Sequence, residues 1–267
     1  MQALGIDIGG TGIKGAVVDT ATGQFVVERL RIETPQPATP EAVSAVVARI
    51  TEHFAWTGPV GCTFPGVVKH GVIRTAANVD HAWVDLAAAD IFAQATGCPV
   101  TVVNDADAAG VAESLFGHER ARTGLVVLLT LGTGIGSAMM LDGELVPNTE
   151  FGHLKMGKKD AEDRAAESVR EREDLGWKGW AHRLGDYLRE LESLLWPDLF
   201  VLGGGVSKKA DKFIPHIRCS TPVVAAQLLN QAGIVGAALA AERTVEAAGP
   251  ASEITRSVNR AEPRPHR

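Results

Sequence analysis

Two stretches of this chain follow one pattern, and the repeat limits what the chain can fold into. "ALGIDIGGTGIKGAVVDTATG" (3–23) and "LVVLLTLGTGIGSAMMLDG" (125–143) each run as apolar strand, Gly-Thr-Gly turn, apolar strand, then an Asp with a glycine close by. A hairpin that recurs in both halves predicts two related sheets, each opening in the same way. The 267 residues suit one large domain or two smaller ones. The first hairpin continues into "QFVVERLRIET", read as a third strand. Further strands, "PVGCTF", "PVTVVND" and "LFVLGGG", alternate with helical pattern. "TPEAVSAVVARITEHFA" is a helix with Thr39 as its cap and Pro40 at its first position, and "LAAADIFAQATG" is a helix closed by Gly97. "AAGVAESLFG", residues 160–196 and "NQAGIVGAALAAERTVEAA" complete the helices, which makes the class α/β. Trp177, Trp180, Leu184, Leu188, Leu191 and Leu195 share one helical face, read as packed core, with a homodimer interface as the alternative.

Charge and cysteine content exclude some partners. The net charge is −6, the reverse of what a nucleic-acid binder shows, so any polyanion must meet a local basic patch. No apolar run reaches the ~20 residues of a membrane span, and no basic segment precedes an apolar leader. Cys62, Cys98 and Cys219 are odd in number, far apart and free of any CxxC pair. They read as reduced thiols of a cytoplasmic protein with no cysteine zinc site.

The glycine turns carry the chemistry. Gly10, Gly12 and Gly15 match GxGxxG, but a dinucleotide fold needs a helix next, and "AVVDTATGQFVVE" is β-branched and turn-punctuated. The turn is read instead as a phosphate loop between strands: Gly9 and Gly10 let the backbone approach, Thr11 adds a hydroxyl and Lys14 a charge. A plain tight hairpin is the alternative, and the second copy at Gly132–Thr133–Gly134 weighs against it. "GGGVSKK" (203–209) adds Gly204, Gly205 and Lys208 at a predicted helix start, suited to an anion. Asp7 beside a phosphate loop would repel phosphate unless a cation intervenes, which predicts Mg²⁺ held through water; a turn-capping Asp is the other reading. In "VTVVNDADAAGVAE" a strand runs into Asn104, Asp105 and Asp107, either as a helix cap or as a reactive carboxylate at a strand end.

Taken together, "GIDIGGTGIKGAVVD", "VVNDADAAGVAE", "LTLGTGIGSAMMLDG" and "ELVPNTEFGH" resemble, in order, the motifs of the ROK family of sugar kinases and repressors within the actin-like ATPase superfamily. The resemblance spans about residues 3–245 and implies duplicated domains of ribonuclease H-like type, forming two lobes around a cleft that closes on sugar. It implies residues 1–117 as a small domain with the first loop and the catalytic Asp. Residues 118–229 form the larger domain, a helix at about 230–247 packs back on the first, and 248–267 is a tail of no assigned role. "TAANVDHAW", "LVPNTEFGHLKMGKKDAEDRAAE" and "LWPDLFVLGGGVSKKADKF" are similar to the polyphosphate glucokinase branch of that family.

The resemblance implies Mg²⁺-dependent transfer of a phosphoryl group from polyphosphate, and from ATP, to the 6-hydroxyl of glucose and of mannose. Asp105 is then the base, and Asn104 a hydroxyl partner. Glu150, His153 and Glu162 hold the sugar, with Gly66 and Asn78 closing its pocket; Asp107 is left either to cap the helix or to support the residues that touch the sugar. Lys208, Lys209, Lys212 and Arg218, with Lys155, Lys158 and Lys159, would form a basic track for the polymer, Lys208 and Lys212 sharing a helical face. One departure stands out: the stretch after "EFGH" lacks the cysteines of most family kinases, so His153 has no Cys₃His site to join and no structural zinc is expected. Alternatives are a strictly ATP-dependent hexokinase or N-acetyl-sugar kinase, and a sugar-sensing regulator without the DNA-binding helices of other branches, for which no room precedes the first strand. A structural nucleotide-binding protein of actin type has no need of the sugar motif.

Overall fold

The computed structural model describes residues 1–77 and 79–248; Asn78 and the tail past 248 lie outside them. Strands β1 (Gln2–Ile8) and β2 (Ile13–Asp19) pair antiparallel along their whole length, from Gln2↔Asp19 to Ile8↔Ile13. Short strands β3 (Gln24–Phe25) and β4 (Leu30–Ile32) both pair with β2. Helix α1 (Pro40–His53) leads to β5 (Val60–Phe64), a small hairpin of β6 (Val68–Lys69) and β7 (Val72–Ile73), helix α2 (Ala88–Thr96) and β8 (Val100–Asn104). The first sheet therefore has the order β3-β2-β1-β5-β8, with β1, β5 and β8 parallel.

Helix α3 (Asp105–Phe116) then crosses to the second half. There β9 (Leu125–Leu131) and β10 (Ile135–Leu141) repeat the full-length antiparallel hairpin, and β11 (Glu144–Val146) pairs with β10. After the hairpin of β12 (Lys155–Met156) and β13 (Lys159–Asp160) come helices α4 (Glu162–Ala165), α5 (Glu167–Arg172) and α6 (Trp177–Leu195). Strands β14 (Leu199–Gly203) and β15 (Val223–Ala225) and helix α7 (Ala232–Ala248) follow. The second sheet has the order β11-β10-β9-β14-β15, matching the first except for β4, which has no counterpart among the described residues. The repeated hairpin of the sequence thus opens two sheets of one topology.

Helices α3 and α7 lie between the sheets. Their buried small residues form one core with Ala3 and Val18 of the first sheet and Leu128, Ala138 and Val201 of the second. The contacts are backbone-close. A Cβ on Gly61 of β5 would overlap the Ala237 carbonyl of α7, and one on Gly236 would overlap the Ala108 carbonyl of α3, so neither site admits a side chain. The outer face of the first sheet carries α1 and α2 over a core of Ile6, Phe64, Trp83 and Phe92. The outer face of the second carries α6: Trp180, Leu184, Leu188 and Leu191 are buried, with Trp177 and Leu195 packed at the margin. The tryptophan-bearing stripe is core.

Three local expectations need correction. "QFVVERLRIET" is not one strand: Phe25 pairs with Val18 and Ile32 with Ile13, and the chain between them bows out, leaving Val26 and Val27 exposed. Residues 160–196 are not one helix, because extended backbone at Ala166 (ψ 155°) and Gly176 (ψ 152°) divides them into α4, α5 and α6. Gly205–Lys212 is a 3-10 segment broken at Lys209 (φ −116°, ψ 24°), not an α-helix. Val206 and Phe213 are buried near its two ends, so the core fixes both and the chain adapts between them. Lys208 and Lys212 therefore do not share a helical face.

Candidate active site

Asp105 stands at the junction of β8 and α3. The helix starts here because Asn104, in extended conformation, accepts the Asp107 N–H on its Oδ1 at 2.9 Å, a side-chain cap of the first turn. Asp105 is the first helical residue, and its Oδ1 takes the Ala106 N–H at 2.8 Å. Burial is the main cause that raises its carboxyl to about 7; the charge of Asp7 adds to it, then that of Glu150, while backbone N–H groups oppose it. A carboxyl poised there can take a proton at neutral pH.

Asp7 faces the same cleft from the end of β1. Lys14, its register partner on β2, donates to Asp7 Oδ2 at 3.2 Å, and the Thr63 hydroxyl donates to Oδ1 at 3.0 Å. Thr63 also accepts the Ile8 N–H at 3.0 Å, which fixes the strand end that leads into the first glycine turn. That turn is closed by Gly9 N–H to Gly12 O at 3.2 Å and braced by Thr34 to Gly9 O and Arg31 to Thr11 O. The second turn is braced from below by α5: Ser168 N–H reaches Gly132 O at 3.1 Å and its hydroxyl reaches Thr133 O at 2.6 Å. Asp7, Lys14, Asp105, Thr130, Gly203 and Gly204 line a cleft of about 160 Å³.

The other predicted residues gather beside Asp105. His153 Nε2 lies 3.7 Å from Glu150 Oε2, and its Nδ1 lies 3.4 Å from Asp160 Oδ2 and 3.8 Å from Glu162 Oε1. Glu162 Oε2 accepts the Ile135 N–H at 3.1 Å, tying the group to the second glycine turn. Burial raises the Glu150 carboxyl and Glu162 adds to the effect, while His153 opposes it. Gly66 is joined to the helix cap: its carbonyl accepts from Asn104 Nδ2 at 3.0 Å. One Nδ2 proton of Asn104 remains for another partner. Asn78 lies outside the described residues.

Asp107 does not cap the helix, as Asn104 occupies that role. It is buried at 2% exposure, and its Oδ2 accepts the Asn148 N–H at 2.7 Å. Its Oδ1 has no partner among the described residues, and burial raises the carboxyl to about 7. Asn148 reaches onward, with Oδ1 accepting Val68 N–H at 2.8 Å and Nδ2 donating to Val68 O at 3.0 Å. Helix α3, the β6–β7 hairpin and the loop before Glu150 are thereby linked. Thr63, Asn148 and Asp160 were not picked out in the sequence. A threonine inside the apolar strand "VGCTF" was the one available signal; Asn148 and Asp160 gave none, since their partners are set by tertiary contact.

The lysines scatter. Lys208 lines an open groove with Phe25–Arg29 and Asn230. Lys209 and Lys212 turn to the ring of Trp177. Lys155 pairs with Asp160, and Lys159 lies with Arg164 and Arg183 in another hollow. Arg218 offers its carbonyl to Arg189 at 2.7 Å. No continuous track of the expected composition forms.

The ROK family profile matches residues 3–168. The chain belongs to the ROK family. This ROK protein is 55% identical over 240 residues to the polyphosphate glucokinase of Mycobacterium tuberculosis, covering 90% of this chain and 91% of that protein. It superposes on the inorganic polyphosphate/ATP-glucomannokinase of Arthrobacter sp. strain KM with a TM-score of 0.87 at 47% identity, over 91% of this chain and 99% of that one. A ROK family glucokinase from Streptomyces griseus, solved with glucose and AMPPNP, matches with a TM-score of 0.77 at 27% identity, over 91% and 100% of the two chains. The actin-like α/β fold expected from the motifs is the fold observed. Among the described residues no helix is long and apolar enough to cross a membrane.

Proposed function

We propose that this ROK protein transfers a phosphoryl group from inorganic polyphosphate, and from ATP, to the 6-hydroxyl of glucose and of mannose, in the cytoplasm. The observation that carries the reading is Asp105: a carboxyl raised to about 7, at a helix start, in one cleft with Asp7, Lys14 and Thr130 and within reach of the charge of Glu150, which belongs to a Glu-His-Glu group. Asp105 takes the proton of the attacking hydroxyl as its oxygen bonds to the terminal phosphorus, whose bond to the bridging oxygen breaks and releases the shortened polyphosphate, or ADP, with the electron pair. Glu150 and Glu162 accept from ring hydroxyls and His153 orients between them. Asn104 donates its remaining N–H to a neighbouring hydroxyl while holding Gly66 in place. The donor's terminal phosphates lie between Gly9–Gly10–Thr11 with Lys14 and Gly132–Thr133–Gly134, with Gly204, Gly205 and Lys208 on the leaving side.

Three carboxylates, Asp7, Asp105 and Glu113, line that cleft with a single Lys14; Glu113 accepts the Gln227 and Leu228 N–H groups, which leaves Asp7 and Asp105 as an oxygen set that suits a hard cation. Asp7, whose two oxygens each accept one hydrogen bond, would hold Mg²⁺ through water. When bound, Mg²⁺ screens the charge of the donor phosphates. The similarity to the two polyphosphate-named proteins supports the donor class, and glucose is the acceptor in the name of one.

The test is formation of glucose 6-phosphate with Mg²⁺, using polyphosphate and ATP in separate assays and Asp105→Asn as control. Turnover with polyphosphate that is lost in the variant is the expected result. Turnover with ATP alone would make this a strictly ATP-dependent hexokinase, and none with either donor would overturn the reading.

A further inference from the structure

The scattering of the lysines leaves one place where positive charge converges. Arg170 of α5 lies with its guanidinium carbon 4.2 Å from the centre of the Trp177 ring. From the broken 3-10 segment, Lys209 Nζ lies 5.6 Å and Lys212 Nζ 6.0 Å from the same centre. Trp177 is itself stacked on buried Phe213, with ring centres 6.2 Å apart and planes at 21°. The ring is therefore a fixed pedestal, and three cations from two elements gather around it. Two carboxylates stand near: Glu167 and Glu171 lie 3.9 Å and 3.1 Å from Arg170 Nη2, and the charge of Lys209 reaches Glu167. Neither lysine has an ion-pair partner among the described residues, and Arg170 Nε is buried without a hydrogen-bond acceptor.

The cluster adjoins the donor site on both of its elements. Arg170 is on the helix whose Ser168 braces Gly132 and Thr133. Lys209 and Lys212 belong to the segment that opens at Gly205, directly after the cleft-lining Gly203 and Gly204. Cations this close repel one another, and an aromatic face offsets only part of that. A run of phosphates would meet the two exposed lysines through charge-assisted hydrogen bonds, with the charge of Arg170, 16% exposed and paired with Glu167 and Glu171, at the same ring. ATP has no counterpart to such a run, since beyond its three phosphates comes a neutral nucleoside.

Resting on the proposed polyphosphate kinase reading, we propose that Arg170, Lys209 and Lys212, gathered on Trp177, bind the polyphosphate chain beyond the phosphates held at the transfer site. This corner is then a polymer-specific subsite that ATP does not use. Lys208, turned to the groove at Phe25–Arg29, lies outside it.

The test uses the full chain with Lys209→Ala/Lys212→Ala, both exposed positions that fold does not depend on, and the charge-reversed Lys209→Glu/Lys212→Glu. kcat/KM for glucose phosphorylation is measured with long-chain polyphosphate and with ATP over a salt series. The expected result is a loss of about tenfold or more with polyphosphate, the weight of one charge-assisted hydrogen bond, larger in the Glu pair, with ATP turnover within about twofold of wild type. The salt dependence of the polyphosphate reaction should also become shallower in both variants. Equal losses with both donors, or no loss with polyphosphate, would overturn the subsite while leaving the kinase reading intact. Absence of polyphosphate turnover in the unmodified protein would instead remove the reading on which the subsite rests.

Discussion

The two hairpins share a backbone and differ in what they carry. In the first, Asp7 sits opposite Lys14; in the second, the corresponding strand position is Thr130, opposite Gly136. Both Asp7 and Thr130 reach the same cleft. The connections after the last strands also differ. In the first half β8 passes into α3 with no intervening residue, which places Asp105 at the strand's end, whereas residues 226–231 separate β15 from α7. The duplicated scaffold supplies two glycine turns. The Asp7–Lys14 pair and Asp105 are both in the first half, so the acid–base work proposed here falls to that half, and the second contributes an uncharged turn and the residues proposed to hold the sugar.

Removing the carboxylate that sets the halves apart gives the largest effect. Asp105→Asn should lower kcat by about 10²–10⁴ with the melting temperature held within a few degrees, read from steady-state phosphorylation of glucose. Next is the pH profile. Since Asp105 must be deprotonated to accept a proton, and its carboxyl is raised to about 7, kcat/KM should climb about tenfold per pH unit below that value and level above it. A profile already flat at pH 5 would break the assignment. The hairpins can then be compared directly. Lys14→Met strips the counter-charge from Asp7 and should raise the donor KM about tenfold, while Thr130→Val in the equivalent position should change it less than about threefold. Equal effects would mean that the two turns are functionally alike.

The smallest effect concerns Asp107. Its raised carboxyl keeps in the folded state a proton that the unfolded chain has released between about pH 4 and 7, so its contribution to stability is full at low pH and declines as pH rises through that range. Asp107→Asn has no such slope. It should melt near wild type at pH 5 and a few degrees above it at pH 8, by thermal unfolding.

Much of this was legible in the chain, for physical reasons. Strand period, glycine turns and helix caps are local, and they gave the hairpins, the limits of α1 and α2, and the candidate loops. Asp105 stood out because a carboxylate ended an apolar strand. Other features depend on partners far along the chain. Thr63 acts on Asp7, and Asn148 on Val68, through contacts that no local pattern encodes. Asn104 rather than Asp107 caps the helix because it is the residue before the first turn, and its side chain accepts the Asp107 N–H. Lys208 and Lys212 do not share a face because their spacing gives one only in an α-helix, and buried residues at both ends of that segment deny it one.

The Asn148 side chain has a further consequence for how this protein meets its neighbours in a crowded solution. A two-residue hairpin strand such as β6 leaves a peptide N–H and C=O on its outer edge, ready to recruit an extended segment of another molecule. Asn148 offers Val68 a carbonyl and an amide N–H just as an adjoining strand would. A single side chain stands in for a strand, and the edge is closed to intermolecular pairing.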